Sequence, residues 1–125
     1  MILGIGMDMV EIARVERAAA RYGERFLNRT FTPGERDLCA RKLRSGDNLA
    51  ARFAVKEAAF KALGFGWPEC GGFTSVEVVS DPMNRPSILF HGAAARIAAE
   101  RGVRRAHVTI THDAGFTVAV VVLEG

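Results

Sequence analysis

Cysteine is scarce in this 125-residue chain: Cys39 and Cys70 stand 31 positions apart, and neither belongs to a CxxC pair. That argues against a disulfide framework and a thiolate zinc site, and leaves two reduced thiols. No stretch approaches the roughly 20 consecutive apolar residues that a membrane span needs. The opening MILGIGM has no basic start, its apolar run is short, and Asp8 interrupts it, so it does not read as a signal peptide. These absences place the protein in the cytoplasm. Internal repeats, low-complexity tracts and linkers are also missing, so residues 1–125 are expected to form a single domain.

Several motifs of familiar chemistry are absent too. Gly4-Ile5-Gly6 is followed by Met9, where a dinucleotide fingerprint needs its third glycine, and there is no GxxxxGK[ST], GxSxG or HExxH. Ser45, Ser75, Ser80 and Ser87 fall in expected turns or strands and give a serine nucleophile no support. His107 and His112, five apart on one expected strand, face opposite sides and cannot form a simple metal-binding pair.

What the chain does contain is a globular balance of 49% hydrophobic and 25% charged residues. Its net charge of +3 hides an asymmetry. Residues 14–61 hold 12 of the 17 Lys and Arg but only 6 of the 14 Asp and Glu. A basic first half suits an acidic partner such as RNA, a nucleotide or an acidic protein, and a solvated basic face accounts for it equally well.

ILGIGMDMV reads as a first strand, with Asp8 near its end. Ile12, Val15, Ala19 and Tyr22 then recur at helical spacing before a stop at Gly23, and Arg14, Arg17 and Arg21 form a row on another face. TPGE at 32–35 is a capping box that should open a short basic helix reaching about Arg44. SGDN breaks that helix, and Asp47 or Asn48 is expected to cap a long one ending at Gly64. After the glycine-rich loop 64–72 the period becomes two. Strands are expected over 73–80 and 87–91, then an Ala-rich helix closed by Gly102. Two strands at 106–112 and 116–124 should be joined by a three-residue loop, Asp113 to Gly115. The last strand is apolar on both sides and is expected to be central and covered on each face. The order describes an α+β fold, a mainly antiparallel sheet packed against a helix layer that includes one long helix.

On that long helix Glu57 shares a stripe with Phe53 and Phe60, where an uncompensated carboxylate is costly. Lys61, four residues on, could neutralise it as an ordinary helix ion pair. Alternatively Glu57 and Asp8, 49 positions apart, meet a divalent cation in a hard-oxygen site of the kind used for phosphoryl chemistry, with Lys61 facing phosphate charge. His112 shares its face with Val108 and Ile110 like a core histidine, yet it ends its strand at a turn, where sites are often built.

These stretches resemble the signatures of the holo-acyl-carrier-protein synthases, the single-domain type of 4′-phosphopantetheinyl transferase. GIGMDMVEIARV is similar to their G-x-D-x-x-x-x-x-R opening through Gly6, Asp8 and Arg14. RFAVKEAAFKALG matches (F/W)-x-x-K-E-A-x-x-K-A through Phe53, Lys56, Glu57, Ala58, Lys61 and Ala62. VTITH resembles their S-x-S-H block, with Thr109 and Thr111 for the serines, and FTPGE a smaller F-T-x-x-E element. Met83, Asn84, Arg85 and Pro86 stand where relatives read Asn-Gly-Lys-Pro. Asn can adopt a left-handed conformation, so that turn is expected to survive.

The resemblance implies transfer of phosphopantetheine from coenzyme A to a serine of an apo acyl carrier protein, with release of adenosine 3′,5′-bisphosphate. It implies that Asp8 and Glu57 bind Mg²⁺, that Lys61 offsets charge on the leaving group, and that Glu57 or a metal-linked water accepts the serine proton. It also implies coenzyme A contacts from Lys61, Gly64, Gly66, Arg52, Arg85, Pro86, Thr111 and His112, the last near the pyrophosphate. Arg14, Arg17 and Arg21 would receive the acidic carrier, and the assembly would be a homotrimer with active sites between subunits. On this reading neither a nucleic acid nor a membrane is a partner. A basic binding module and an Mg²⁺-dependent nucleotide hydrolase are the competing readings.

Overall fold

The computed structural model describes residues 1–41 and 45–125. Strand β1 (Ile2–Glu11) leads into helices α1 (Ile12–Tyr22), α2 (Glu24–Thr30), α3 (Pro33–Ala40) and the long α4 (Ser45–Leu63). A short 3-10 turn at Phe73–Ser75 precedes strands β2 (Val76–Ser80) and β3 (Pro86–Phe90), helix α5 (Gly92–Glu100), and strands β4 (Arg105–Asp113) and β5 (Phe116–Glu124). Two antiparallel sheets result, one in the order β1-β5-β4 and one of β2 with β3. This is the expected α+β architecture, and β5 is central as its composition requires.

Helix α4 has no polar side along most of its length because it is buried almost all round: Ala50, Ala54, Val55, Ala58, Ala59 and Leu63 are fully enclosed. It lies on the three-stranded sheet, against β1 and β5. Two glycines make the β1 contact possible. A Cβ on Gly4 would overlap the carbonyl oxygen of Ala62, and one on Gly6 would overlap that of Ala58. Bare backbone on the strand, facing alanines on the helix, lets the two elements approach more closely than ordinary side chains allow.

A buried ion pair ties the helices to the smaller sheet. Lys56 and Glu35 have fully enclosed side chains and meet at 2.8 Å. Lys56 Nζ also donates to the carbonyls of Phe73 and Val76, while Glu35 Oε2 accepts from the Val78 amide at 2.9 Å. Glu35 Oε1 accepts from the Thr32 amide at 2.9 Å, and Thr32 Oγ1 accepts from the Glu35 amide at 3.2 Å, so the expected capping box is present.

Several boundaries differ from expectation. Gly23 does end α1, but the chain turns there and resumes as α2, a helix the apolar spacing did not announce. Asp47 and Asn48 lie inside the first turns of α4, which is described from Ser45. The expected end of the preceding helix near Arg44 falls outside the described residues. The first three residues of the expected strand 73–80 form the 3-10 turn. The last hairpin has a two-residue loop, Ala114 (φ 51°) and Gly115 (φ 82°), because Asp113 still pairs with Phe116. Two left-handed residues match the twist of the flanking strands. The turn before β3 survives as expected, with Asn84 at φ 60°.

One expectation is met only by half. The side of β5 carrying Thr117, Ala119, Val121 and Leu123 is fully buried under α4. The other side carries Val118, Val120 and Val122, only partly buried, beside Ile5, Met7 and Met9, which are each more than 60% exposed. Among the described residues nothing covers that apolar face.

Candidate active site

The close contact of β1 with α4 sets the position of three polar groups. Gly4, Gly6 and Asp8 alternate onto the same face of β1, so the row that admits the helix backbone ends in a carboxylate. Asp8 and Glu57 line one cavity of about 390 Å³ with Arg14, Phe26 and Phe53. Lys61 Nζ donates to Asp8 Oδ1 at 3.2 Å and to the carbonyl of Met7 at 3.0 Å. The lysine therefore pairs with Asp8 across the contact, and among the described residues Glu57 forms no hydrogen bond or salt bridge. Burial pushes the Glu57 carboxyl above its ordinary range, the charge of Asp8 pushes it further, and Lys61 acts in the opposite sense.

Lys61 pairs with Asp8, Arg14 lines the same cavity, and Glu57 is left without an ion-pair partner among the described residues, so the two carboxylates could hold a dication between them. No cluster of three or more His, Cys, Asp or Glu able to hold a metal forms among the described residues. A two-carboxylate site leaves most coordination positions to water and phosphate oxygens, which suits Mg²⁺ better than an all-protein cage would. Lys61 and Glu57 also line a neighbouring open pocket with Gly64, Phe65, Gly66 and Trp67. Gly64, left-handed at φ 84°, ends α4 there.

The remaining cations gather elsewhere. Arg52, Arg85, Pro86 and His112 line a second cavity of about 440 Å³ that includes Asn48, Asn84 and Thr109 but no acidic residue. Arg52 is only 8% exposed, and its Nε is buried without a partner, which marks a place for an acceptor. The register explains the separation. Val10, Thr117 and His112 lie in one row across the sheet, on the face that α4 covers. Helix α4 rests on β1 and β5, and β5 separates β1 with Asp8 from β4 with His112, two strand spacings or about 10 Å across the sheet. Arg52 lies about 140° round the helix from Glu57.

Thr111 points to the other face of the sheet, on the exposed side, away from His112. Arg14, Arg17 and Arg21 are all exposed on α1. Arg17 pairs with Glu11 at 3.3 Å, and Arg21 sits 5.3 Å over the Tyr22 ring. A third cavity, lined by Arg25, Arg29, Trp67 and Phe73, shares Phe26 and Phe53 with the carboxylate cavity and was not anticipated.

The first strand and long helix of this α+β chain bring together an aspartate, a glutamate and a lysine, a set suited to phosphoryl transfer when a dication is bound. Residues 4–121 match the model of the 4′-phosphopantetheinyl transferase superfamily, and the chain belongs to that family. It is 46% identical to the holo-[acyl-carrier-protein] synthase of Koribacter versatilis over 99% of both chains. It is 48% identical to the enzyme of that name from an Anaeromyxobacter species, over 100% of this chain and 98% of the other. The crystal structure of the Neisseria meningitidis synthase superposes with a TM-score of 0.91 at 30% identity, covering both chains fully. That of the Helicobacter pylori synthase in complex with coenzyme A gives 0.83 at 35% identity, covering 96% of this chain and 99% of the other.

Proposed function

We propose that this protein transfers the 4′-phosphopantetheine group of coenzyme A to a serine of an apo acyl carrier protein, in the cytoplasm and with Mg²⁺ bound by Asp8 and Glu57. The observation that carries the proposal is the Asp8–Glu57–Lys61 constellation at the β1–α4 contact. The serine oxygen attacks the β-phosphorus of coenzyme A. The bond from that phosphorus to the bridging oxygen breaks, and adenosine 3′,5′-bisphosphate leaves. Mg²⁺ held by Asp8 and Glu57 would supply positive charge to offset that of the phosphates.

The chain's own groups position and neutralise. Glu57 or a metal-linked water would receive the serine proton. Lys61, anchored on Met7 and Asp8 but with its side chain 55% exposed, is free to reach charge developing on the leaving group. Arg14 lines the same cavity from α1, and with Arg17 and Arg21 offers the acidic carrier a basic approach.

Two observations support a homotrimer with sites between subunits. The apolar face of β1 and β5 lies open among the described residues of a single chain, and the cations expected to meet the nucleotide, Arg52, Arg85 and His112, line a different cavity from the carboxylates. In that assembly one chain's Arg52 and His112 would serve another chain's Asp8 and Glu57.

The test incubates the protein with coenzyme A, Mg²⁺ and an apo carrier and weighs the carrier by mass spectrometry. A gain of one phosphopantetheine is expected, and an unmodified carrier beside a competent control overturns the reading. Cleavage of coenzyme A with no carrier present would point to a hydrolase. Mixing Glu57→Gln chains with Arg52→Ala chains through refolding should restore activity that neither has alone. No recovery would place each whole site within one chain.

A further inference from the structure

We propose that Asp81 is a positioning residue for nucleotide recognition, holding the Arg85 guanidinium so that it meets the 3′-phosphate of coenzyme A. The inference rests on the coenzyme A reading above. Coenzyme A carries two kinds of phosphate. The pyrophosphate is engaged at the carboxylate pair, where the bond breaks, and the 3′-phosphate passes through the reaction unchanged. A cavity lined by two arginines and a histidine, with no acid among the described residues that line it, suits that second, dianionic group, and Arg85 stands between it and a neighbouring cavity that Asp81 lines. Arg52 lines it too, and its Nε is buried without a partner.

Asp81 does not line the cavity; it acts from behind. Its Oδ1 accepts from the amides of Met83 at 2.9 Å and Arg85 at 2.8 Å, and its Oδ2 accepts from Arg85 Nε at 2.9 Å. The backbone closes the same turn, with the Asp81 amide donating to the Arg85 carbonyl at 2.8 Å and the Asn84 amide donating to the Asp81 carbonyl at 2.9 Å. One carboxylate thus organises the turn and fixes the plane of the guanidinium. These bonds, that from the Arg85 amide foremost, hold the Asp81 carboxyl below its ordinary range. With Nε engaged, both terminal nitrogens remain for a two-point contact with phosphate oxygens. The Arg85 side chain is 69% exposed, so this ion pair adds little to folding stability, and its use lies in orientation.

The experiment measures kcat and KM with coenzyme A and with 3′-dephospho-coenzyme A for the wild type, Asp81→Asn, Arg85→Ala and the double variant. An asparagine oxygen still accepts the two amides of the turn but leaves Nε without a charged acceptor. Asp81→Asn is expected to raise the KM for coenzyme A about tenfold, the scale of one charge-assisted hydrogen bond, with kcat unchanged. The KM for the dephospho substrate should not move, and in the Arg85→Ala background the second substitution should add nothing. Asp81→Ser, another turn-forming change, should behave alike and guards against one variant failing to fold. An equal rise for both substrates, or effects that add to those of Arg85→Ala, overturns the role of Asp81. A wild type indifferent to the 3′-phosphate overturns the assignment of the cavity, and the proposal with it. An active transferase showing that indifference would still satisfy the proposed reaction.

Discussion

Glu57 is held in a conflict that has a measurable sign. Burial, and then Asp8, raise its carboxyl above the ordinary glutamate value of 4.5. Between that value and the folded one the native chain binds more protons than the unfolded chain, so stability falls as pH rises through the window. Replacing Glu57 by Gln removes the cost. Without divalent cations, Glu57→Gln should melt above the wild type at neutral pH, and the gain should vanish as pH falls below about 4.5. The same change should lower carrier modification at least a hundredfold, the scale of a lost proton acceptor. Identical melting points across the whole pH range would show that burial and Asp8 together exert no net pressure on Glu57. The sequence exposed this tension, since Glu57 stands between Phe53 and Phe60. It did not show that Lys61 joins Asp8, because an i, i+4 pair is visible along a helix and a contact across 53 positions is not.

At the level of elements, the F-T-x-x-E and K-E signatures prove to be two ends of one interaction. Glu35 opens α3 with its capping box and then meets Lys56 of α4 in the core. The capping box could be read from its spacing, but the pairing could not, since it depends on how α3 and β2 stack over α4. Burial pushes Lys56 below its ordinary range and Glu35 opposes that push, so the pair holds its charges through mutual contact. Lys56→Met should therefore cost about 3–5 kcal/mol in denaturant unfolding by stranding a buried carboxylate, and adding Glu35→Gln should recover part of it. No recovery in the double variant would mean that packing, not the charge, sets the cost. Helix α2 was hidden for a simpler reason: a glycine that ends one helix can also be the corner from which the next begins. Periodicity announces the stop and not the resumption.

For the molecule as a whole, the uneven distribution of charge becomes a surface. Arg14, Arg17 and Arg21 stand on α1 beside the carboxylate cavity. Arg14→Glu should weaken carrier binding steeply at low salt and much less at high salt, measured as KM for the carrier across ionic strengths. An effect independent of salt would argue for a direct contact instead of steering. The α+β class and the central place of β5 were legible from alternation and from apolar runs. The apolar runs could not show that the described residues fully cover only one side of β5.

Met7, Met9 and Ile5, wetted in a lone chain, make catalysis a collective property on the proposed assembly. A freshly made copy would hold the parts of two incomplete centres and no working one. Output per molecule should then collapse on dilution, at protein concentrations where each polypeptide still keeps its shape.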